Sequence, residues 1–224
     1  MRILALETSE KVATVAVAED SRLLATQPCD PAMRSAQSLV PGIQQLLHTA
    51  QWQPRQVDLV AVSIGPGSFT GLRVGVVAAK VFAYAVGAEV LGVDTLEAIA
   101  AGAPPEAERF WTAVDAQRGQ WVVREFRRSA DEWPGPVGPA ELVDAEPWLA
   151  GLPEDTVITG PVLHKAAAQL PKHVRPLAAE LWPPTAKAVA VLAARDYDAG
   201  RRDDLWTLAP RYSRPSAAEE KLCR

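Results

Sequence analysis

A glycine-rich block, SIGPGSFTGLR at residues 63–73, constrains the fold of this chain more than any other feature. The stretch before it, DLVAVSI, is short and apolar, which is typical of a buried strand. The stretch after it, LRVGVVAAKVFAYAV, is long and apolar enough for a helix. We therefore predict a strand, a turn of small residues and a helix with Ser68 or Thr70 as N-cap. A buried strand followed by an apolar helix requires a sheet that is covered by helices.

The first half of the chain predicts a mixed sheet covered by helices. Apolar runs with turn residues between them predict strands at 3–6, 12–18, 22–26, 58–64 and 89–93. Helical spacing predicts helices at about 35–50, 71–86 and 95–101. Three consecutive strands followed by alternating helices and strands indicate an α/β fold with antiparallel and parallel pairs in one sheet.

The second half begins after the linker APP at 103–105, with strands predicted at 110–115 and 120–126. The stretch TAVDAQRGQWVVRE resembles LALETSEKVATVAV of the first half, which indicates that one fold unit is used twice. Frequent prolines prevent assignment of about 128–184. We predict a first lobe at 1–103, a smaller second lobe at 104–184, a helix at about 185–200 that packs back on the first lobe, and a tail at 207–224.

Composition excludes several classes of protein. The net charge of −4 disfavours unaided binding to a nucleic acid, since phosphate neutralisation supplies most of that affinity. Cys29 and Cys223 do not form a disulfide framework. The start MRILALETS lacks signal-peptide features, and Arg, Lys or Gly interrupt each apolar stretch before the roughly 20 residues that span a bilayer. We expect a cytosolic protein.

The glycine block fits no complete phosphate-binding motif. A P-loop would need Lys at the position of Leu72, and G-x-G-x-x-G fails on spacing. G-x-S-x-G fails because Pro66 and Thr70 stand where the motif requires glycine. Two interpretations stay open: a helix N-terminus that receives an anion, or glycines that supply only a tight turn. The candidate nucleotide or anion contacts are Glu7, Thr8, Ser9, Gly65, Gly67, Ser68 and Thr70.

Metal chemistry has few candidate ligands in the sequence. His48, His164 and His173 are scattered, and none has the spacing of a helical zinc site. Glu7 and Asp115 each end a predicted strand and could hold magnesium beside a phosphate, or could be solvated carboxylates. We predict no metal site.

The helix after the glycine block predicts a second packing surface. Its only charges, Arg73 and Lys80, lie on one stripe, so the rest of its circumference must be covered by the chain itself or by a partner. Small residues recur every fourth position from Gly71 to Gly87, which would leave a groove for another backbone. The candidate partner contacts on helices 35–50 and 71–87 are Leu39, Ile43, Leu46, Leu47, Gly71, Arg73, Val74, Gly75, Ala78, Ala79, Phe82 and Ala83.

Six stretches together resemble the TsaB (YeaZ) family: ILALETS, RSAQSLVPGIQQLL, VDLVAVSIGPGSFTGLRVGVVAAKVFAYAVG, VLGVDTLEAIA, DAQRGQW and LAPRYSRPSAAE. The resemblance implies an actin-like (ASKHA) fold of two ribonuclease-H-like lobes. It implies an accessory subunit without its own catalytic centre that pairs with TsaD. With TsaE and ATP, that pair transfers a threonylcarbamoyl group to the adenosine beside the anticodon of tRNAs that read ANN codons. Because the fold is self-similar and carries an apolar helix, we expect a homodimer when TsaD is absent.

The same resemblance implies that ATP and magnesium are handled by the complex, with only a weak nucleotide contact on this chain. TsaD holds its metal through a histidine pair on the helix that corresponds to 35–50, where this chain has RSAQS. Glu7 stands where the family more often has Asp, which adds a methylene. The alternative functions are a stand-alone ATP-dependent phosphotransferase or ATPase of the actin-like class, and a peptidase.

Overall fold

The computed structural model describes residues 1–33, 35–129 and 133–213. It contains two mixed sheets, each flanked by helices, as the sequence predicts. The elements of the first lobe are β1 (Arg2–Glu7), β2 (Thr14–Glu19), β3 (Arg22–Pro28), α1 (Ser35–Thr49), β4 (Leu59–Gly65), α2 (Phe69–Val86), β5 (Glu89–Asp94) and α3 (Thr95–Ala100). The predicted βββαβαβ order is confirmed.

The first sheet has the strand order β3-β2-β1-β4-β5. β1 pairs antiparallel with β2 and parallel with β4, and β4 pairs parallel with β5. Because β1 and β4 are central and covered on both faces, their residues are apolar almost without interruption. The carboxyl ends of these strands lie at one edge of the sheet, where Glu7 ends β1 and the glycine block follows β4.

Successive side chains of a strand point to opposite faces of the sheet, so the first lobe has one core on each face. Leu4 and Leu6 of β1 face a core that α1 and α2 complete. Ile3 and Ala5 face the opposite core, which is completed by α6 (Ala186–Asp198), a helix that follows the second lobe in the chain. α6 thus packs back on the first sheet, and its many alanines permit that close contact.

The second lobe repeats the strand pattern of the first. Its elements are β6 (Arg109–Asp115), β7 (Gln120–Arg127), β8 (Gly135–Pro136), β9 (Glu141–Asp144), α4 (Ala145–Ala150), β10 (Thr156–Thr159), α5 (Leu163–Ala166) and β11 (Val174–Pro176). β6 pairs antiparallel with β7 and parallel with β10, and β10 pairs parallel with β11. Like β1, β6 therefore has the next strand in the chain as its antiparallel neighbour and a later strand as its parallel neighbour. The prediction of a repeated unit is confirmed.

The turn from β4 into α2 differs slightly from the prediction. α2 begins at Phe69 rather than Gly71, because Ser68 is the N-cap and its Oγ accepts a hydrogen bond from the Gly71 amide at 3.2 Å. The helix ends at Val86, and its C-cap Gly87 has a left-handed φ of 77°.

By length and composition alone α2 could cross a membrane, contrary to the sequence expectation. A third of this helix is buried inside the fold.

After α6 the chain returns along the first lobe as a strap, which we define as residues 203–213. Val90 of β5 forms a bridge with Asp203, Leu208 joins the core beneath α2, and the Arg211 amide donates to the Ile64 carbonyl at 2.6 Å. The strap therefore covers one flank of α2 and ends near the glycine block. Residues 214–224 of the predicted tail, with Cys223, lie outside the described residues, whereas Cys29 is buried.

Candidate functional site

A cleft of about 820 Å³ lies between the two lobes. The first lobe contributes the β1–β2 turn and the start of α2, and the second lobe contributes the β6–β7 turn and the start of α5. The end of the strap closes one side with Arg211 and Tyr212. Glu7 and Asp115 occupy equivalent positions in the two repeats, since each ends the central strand of its sheet.

The Glu7 carboxyl group is fully buried beneath the cleft. Its Oε1 accepts hydrogen bonds from the Ser9 amide at 2.7 Å, from the Ser9 hydroxyl and from the Ser63 hydroxyl at 3.1 Å. Its Oε2 has no hydrogen-bond partner among the described residues. Burial raises the pKa of Glu7, against the opposing effect of the hydrogen bonds from Ser9 and Ser63. The amide and hydroxyl of Ser9 are thus directed inward at a side chain of the same lobe.

Close contacts inside the chain account for the glycines of the block. A Cβ on Gly67, whose φ is 158°, would lie 2.5 Å from the Ser9 Cβ. A Cβ on Gly71 would overlap the Thr8 carbonyl, and one on Gly65 would overlap the Arg211 carbonyl. The Ser68 amide also donates to the Ser9 carbonyl at 2.7 Å. The glycines thus permit close backbone packing, which favours the tight-turn interpretation over an anion cradle.

Charged groups from both lobes meet in the cleft. The Lys165 Nζ forms an ion pair with Asp115 Oδ2 at 3.0 Å, and Asp115 Oδ1 accepts a hydrogen bond from the Gln117 amide. Burial above all, together with the nearby Glu7 and Asp115 carboxylates, raises the pKa of Glu10 to about 7, while Lys165 opposes the shift. Within the three described segments, no group of three or more His, Cys, Asp or Glu side chains is arranged to hold a metal ion.

Eight of the predicted partner contacts are buried inside the first lobe. The four on α1 face the sheet, where they join the core with α2. The small residues of α2 do not form an open groove, because Gly71 and Gly75 pack against Thr8. The eight buried residues are Leu39, Ile43, Leu46, Leu47, Gly71, Gly75, Ala79 and Ala83. Arg73 is exposed, and Val74, Ala78 and Phe82 are half-buried.

The outward side of α2 carries three large apolar residues that the sequence analysis did not single out. Val77 is 59% exposed, Val81 63% and Tyr84 70%. We call these three residues the α2 ridge. Their spacing of four and three places them on one side of the helix. This pattern was visible in the sequence, but because the whole helix is apolar, the sequence did not separate the inward from the outward side.

Comparison with known proteins identifies the family. The family model described as "TsaD: tRNA N6-adenosine threonylcarbamoyltransferase" matches residues 26–140, just over half of the chain. The chain is 33% identical over 130 residues to the Escherichia coli "tRNA threonylcarbamoyladenosine biosynthesis protein TsaB". The aligned residues are 57% of this chain and 56% of that protein. The chain is 29% identical over 120 residues to the Bacillus subtilis protein of the same name, covering 54% and 52%. The chain thus spans about half the length of these curated relatives.

A solved structure extends the similarity to both lobes. YeaZ from Pseudomonas aeruginosa superposes with a TM-score of 0.77 at 26% identity, over 94% of this chain and 99% of that one. The two lobes have the actin-like arrangement that the sequence resemblance implies. With this fold, the family-model match and the similarity to TsaB and YeaZ proteins, the chain belongs to the TsaD family and, within it, to the TsaB (YeaZ) group.

Proposed function

We propose that this chain is an accessory subunit that pairs with a TsaD-type catalytic chain in the synthesis of threonylcarbamoyladenosine in tRNA. The names of its TsaB relatives support that pathway. The observation that carries the proposal is the α2 ridge, three large apolar side chains that are 59 to 70% exposed on an otherwise well-packed lobe. A contiguous exposed apolar surface on a folded protein usually marks a contact with another molecule.

The surroundings of the ridge favour a protein partner. The Lys80 Nζ turns away to the strap, where it donates to the carbonyls of Trp206 and Leu208. Arg73 likewise donates to the Tyr212 hydroxyl. Both charges of α2 are engaged with the strap, and the ridge beside them is left apolar. A helix with one apolar exposed side is suited to pack against a helix of another chain.

The proposal assigns TsaE, ATP and magnesium to the assembled complex. Ser9 and Ser63 donate to the Oε1 of the buried Glu7. Asp115 is paired with Lys165 and accepts a hydrogen bond from the Gln117 amide, so both strand-end carboxylates already have partners within the chain. That arrangement opposes a stand-alone ATPase or phosphotransferase. Because the net charge is −4, tRNA is expected to contact the complex rather than this chain alone. We further propose a cytoplasmic location and self-association when TsaD is absent.

The experiment is to measure the light-scattering mass of the chain on a sizing column, alone and mixed with TsaD from the same organism. We expect a one-to-one complex. The double substitution Val77→Glu with Val81→Glu should abolish it, because it would bury two carboxylates in the interface. Val137→Glu is the matched control, since Val137 is 54% exposed on the second lobe. A wild-type chain that does not associate with TsaD would contradict the proposal.

A second readout addresses activity. Threonylcarbamoyl transfer to tRNA by TsaD, TsaE and ATP should require this chain, and the double ridge variant should not restore it. The chain alone should not hydrolyse ATP. ATP hydrolysis by the pure chain that is lost in Asp115→Asn would favour the stand-alone ATPase instead.

A further inference from the structure

The strap contributes two aromatic side chains to the exposed side of α2. The ring of Tyr212 lies 4.7 Å from that of Phe69 at the start of the helix. The ring of Trp206 lies 5.7 Å from that of Tyr84 near its end, in an edge-on arrangement. One aromatic pair therefore stands at each end of the ridge, with one member from α2 and one from the strap.

The exposure of Trp206 is not caused by a loose segment. The Lys80 Nζ donates to the Trp206 carbonyl at 2.9 Å and to the Leu208 carbonyl at 3.1 Å. The amides of Trp206 and Thr207 donate to the Asp204 carboxylate. Leu208, two residues further on, is buried in the core beneath α2. The backbone of Trp206 is held from both sides, yet the residue is 71% exposed.

A fixed, exposed tryptophan beside an apolar ridge has the composition of an interface hot spot, which is rich in Trp, Tyr and Arg. Arg73 completes this composition, since its guanidinium lies 3.8 Å above the Phe69 ring and donates to the Tyr212 hydroxyl at 2.8 Å. Because these groups are held in place before binding, little side-chain entropy remains to be lost on association.

We propose that the strap is one half of the surface that binds the TsaD-type chain, with Trp206 as its main contact. This inference rests on the proposed function and adds residues outside helices α1 and α2. A large aromatic side chain offers ~150–250 Å², so the aromatic pairs and the valines provide several hundred of the about 800 Å² that each partner buries in a standard interface.

Charge favours that occupant over a second copy of this chain. Lys80 is engaged by the strap, where the Asp204 carboxylate interacts with it, but Arg73 is exposed and forms no ion pair among the described residues. Pairing of two copies through this face would bring a second unpaired Arg73 to it. A different chain can present acidic side chains there, and the match of residues 26–140 to the TsaD model indicates that a TsaD-type chain has a comparable helix pair to offer.

The test is titration of the full chain with TsaD by isothermal calorimetry. Trp206→Ala should weaken binding at least about tenfold, as expected for a hot-spot tryptophan. The control is Trp133→Ala, since Trp133 is 44% exposed on the second lobe, and its affinity should stay within about threefold of wild type. Thermal melts should show both variants folded. Trp206→Gln, which keeps a long polar side chain, should also bind weakly if the aromatic surface is what matters.

The outcomes separate this inference from the proposed function. If Trp206→Ala binds TsaD as tightly as wild type while the double ridge variant does not, the strap is not part of the interface and the proposed function stands. If wild type does not bind TsaD, the proposed function fails. If Trp206→Ala loses only self-association and keeps its affinity for TsaD, the strap serves a second copy and our assignment of its occupant is wrong.

Discussion

Gly75 of α2 and Thr8 at the end of β1 are in direct contact. A Cβ on Gly75 would lie 3.0 Å from both the Cβ and the Cγ2 of Thr8, and its distance to the Thr8 Oγ1 would be shorter still. Both residues are buried. Gly71 and Gly75 are small because the start of α2 lies directly on the residue that follows β1 in its own lobe. A large or charged side chain at Gly75 would therefore perturb the core of this lobe and would not test a partner interface.

Gly75→Ala should lower the free energy of unfolding by about 1–3 kcal/mol, the usual cost of overpacking. Alanine is the better helix former by about 1 kcal/mol, so the sign of the effect tests the contact. Urea denaturation measures it. Gly138→Ala is the control, since a Cβ there meets nothing within 4 Å. A Gly75→Ala protein as stable as wild type would show that α2 and Thr8 are not this close.

Ser68→Ala should destabilise the protein by about 1 kcal/mol, because the Gly71 amide loses its side-chain acceptor at the start of α2. Thr70→Ala should have a smaller effect, since Thr70 is exposed and lies inside the first turn. Chemical denaturation of the two variants side by side is the measurement. Equal losses would mean that Ser68 does not cap the helix.

The stability of the wild-type protein should fall relative to Glu10→Gln as the pH rises from about 4.5 to 7. In the folded chain the pKa of Glu10 is raised from 4.5 to about 7 by burial and by Glu7 and Asp115, against Lys165. Between those values the folded state binds a proton that the unfolded state has released, so raising the pH favours unfolding. Above about pH 7 the difference should be constant.

Urea midpoints at several pH values between 4.5 and 8 measure this dependence. The control is Glu106→Gln, because Glu106 is exposed and does not line the cleft. If wild type and Glu10→Gln differ by the same amount at every pH, the carboxyl group of Glu10 is not desolvated in the cleft.

Glu7→Ala should destabilise the protein more than Glu7→Gln. Alanine leaves the Ser9 amide and the Ser9 and Ser63 hydroxyls without their acceptor, and each buried donor left unpaired costs about 1–3 kcal/mol. Glutamine keeps an acceptor and carries no charge. Since burial raises the pKa of Glu7, wild type loses stability as the pH rises above 4.5. Over that range the free energy of unfolding of the Gln variant should therefore increase relative to that of wild type.

Denaturation of both Glu7 variants at low and neutral pH distinguishes these effects. Equal destabilisation by Ala and Gln at neutral pH would contradict the hydrogen-bond arrangement described here. Because Glu7 lies under the cleft and not in it, neither substitution is expected to create ATP binding.

The order of the elements in the first lobe could be predicted because local patterns specify them. Apolar runs marked β1, β4 and β5, helical spacing marked α1 and α2, and the small polar residues before α2 predicted a cap at Ser68 or Thr70. The region from β8 to β11 was not predicted. Its strands are short, and their partners lie outside any local pattern: β8 and β9 pair with β7, β10 pairs with the distant β6, and β11 pairs with β10. Its prolines also obscure any period.

The candidate site was predicted only in part, for a related reason. The sequence by itself determined that α2 is apolar almost all round and that its small residues permit close approach. Only the tertiary structure decided that Gly75 faces Thr8 while Val77 and Tyr84 face outward, and that Trp206 stands beside Tyr84. A uniformly apolar helix has no polar side to show which residues face inward, and the contact of Trp206 with Tyr84 joins segments more than 100 residues apart, which no local pattern records.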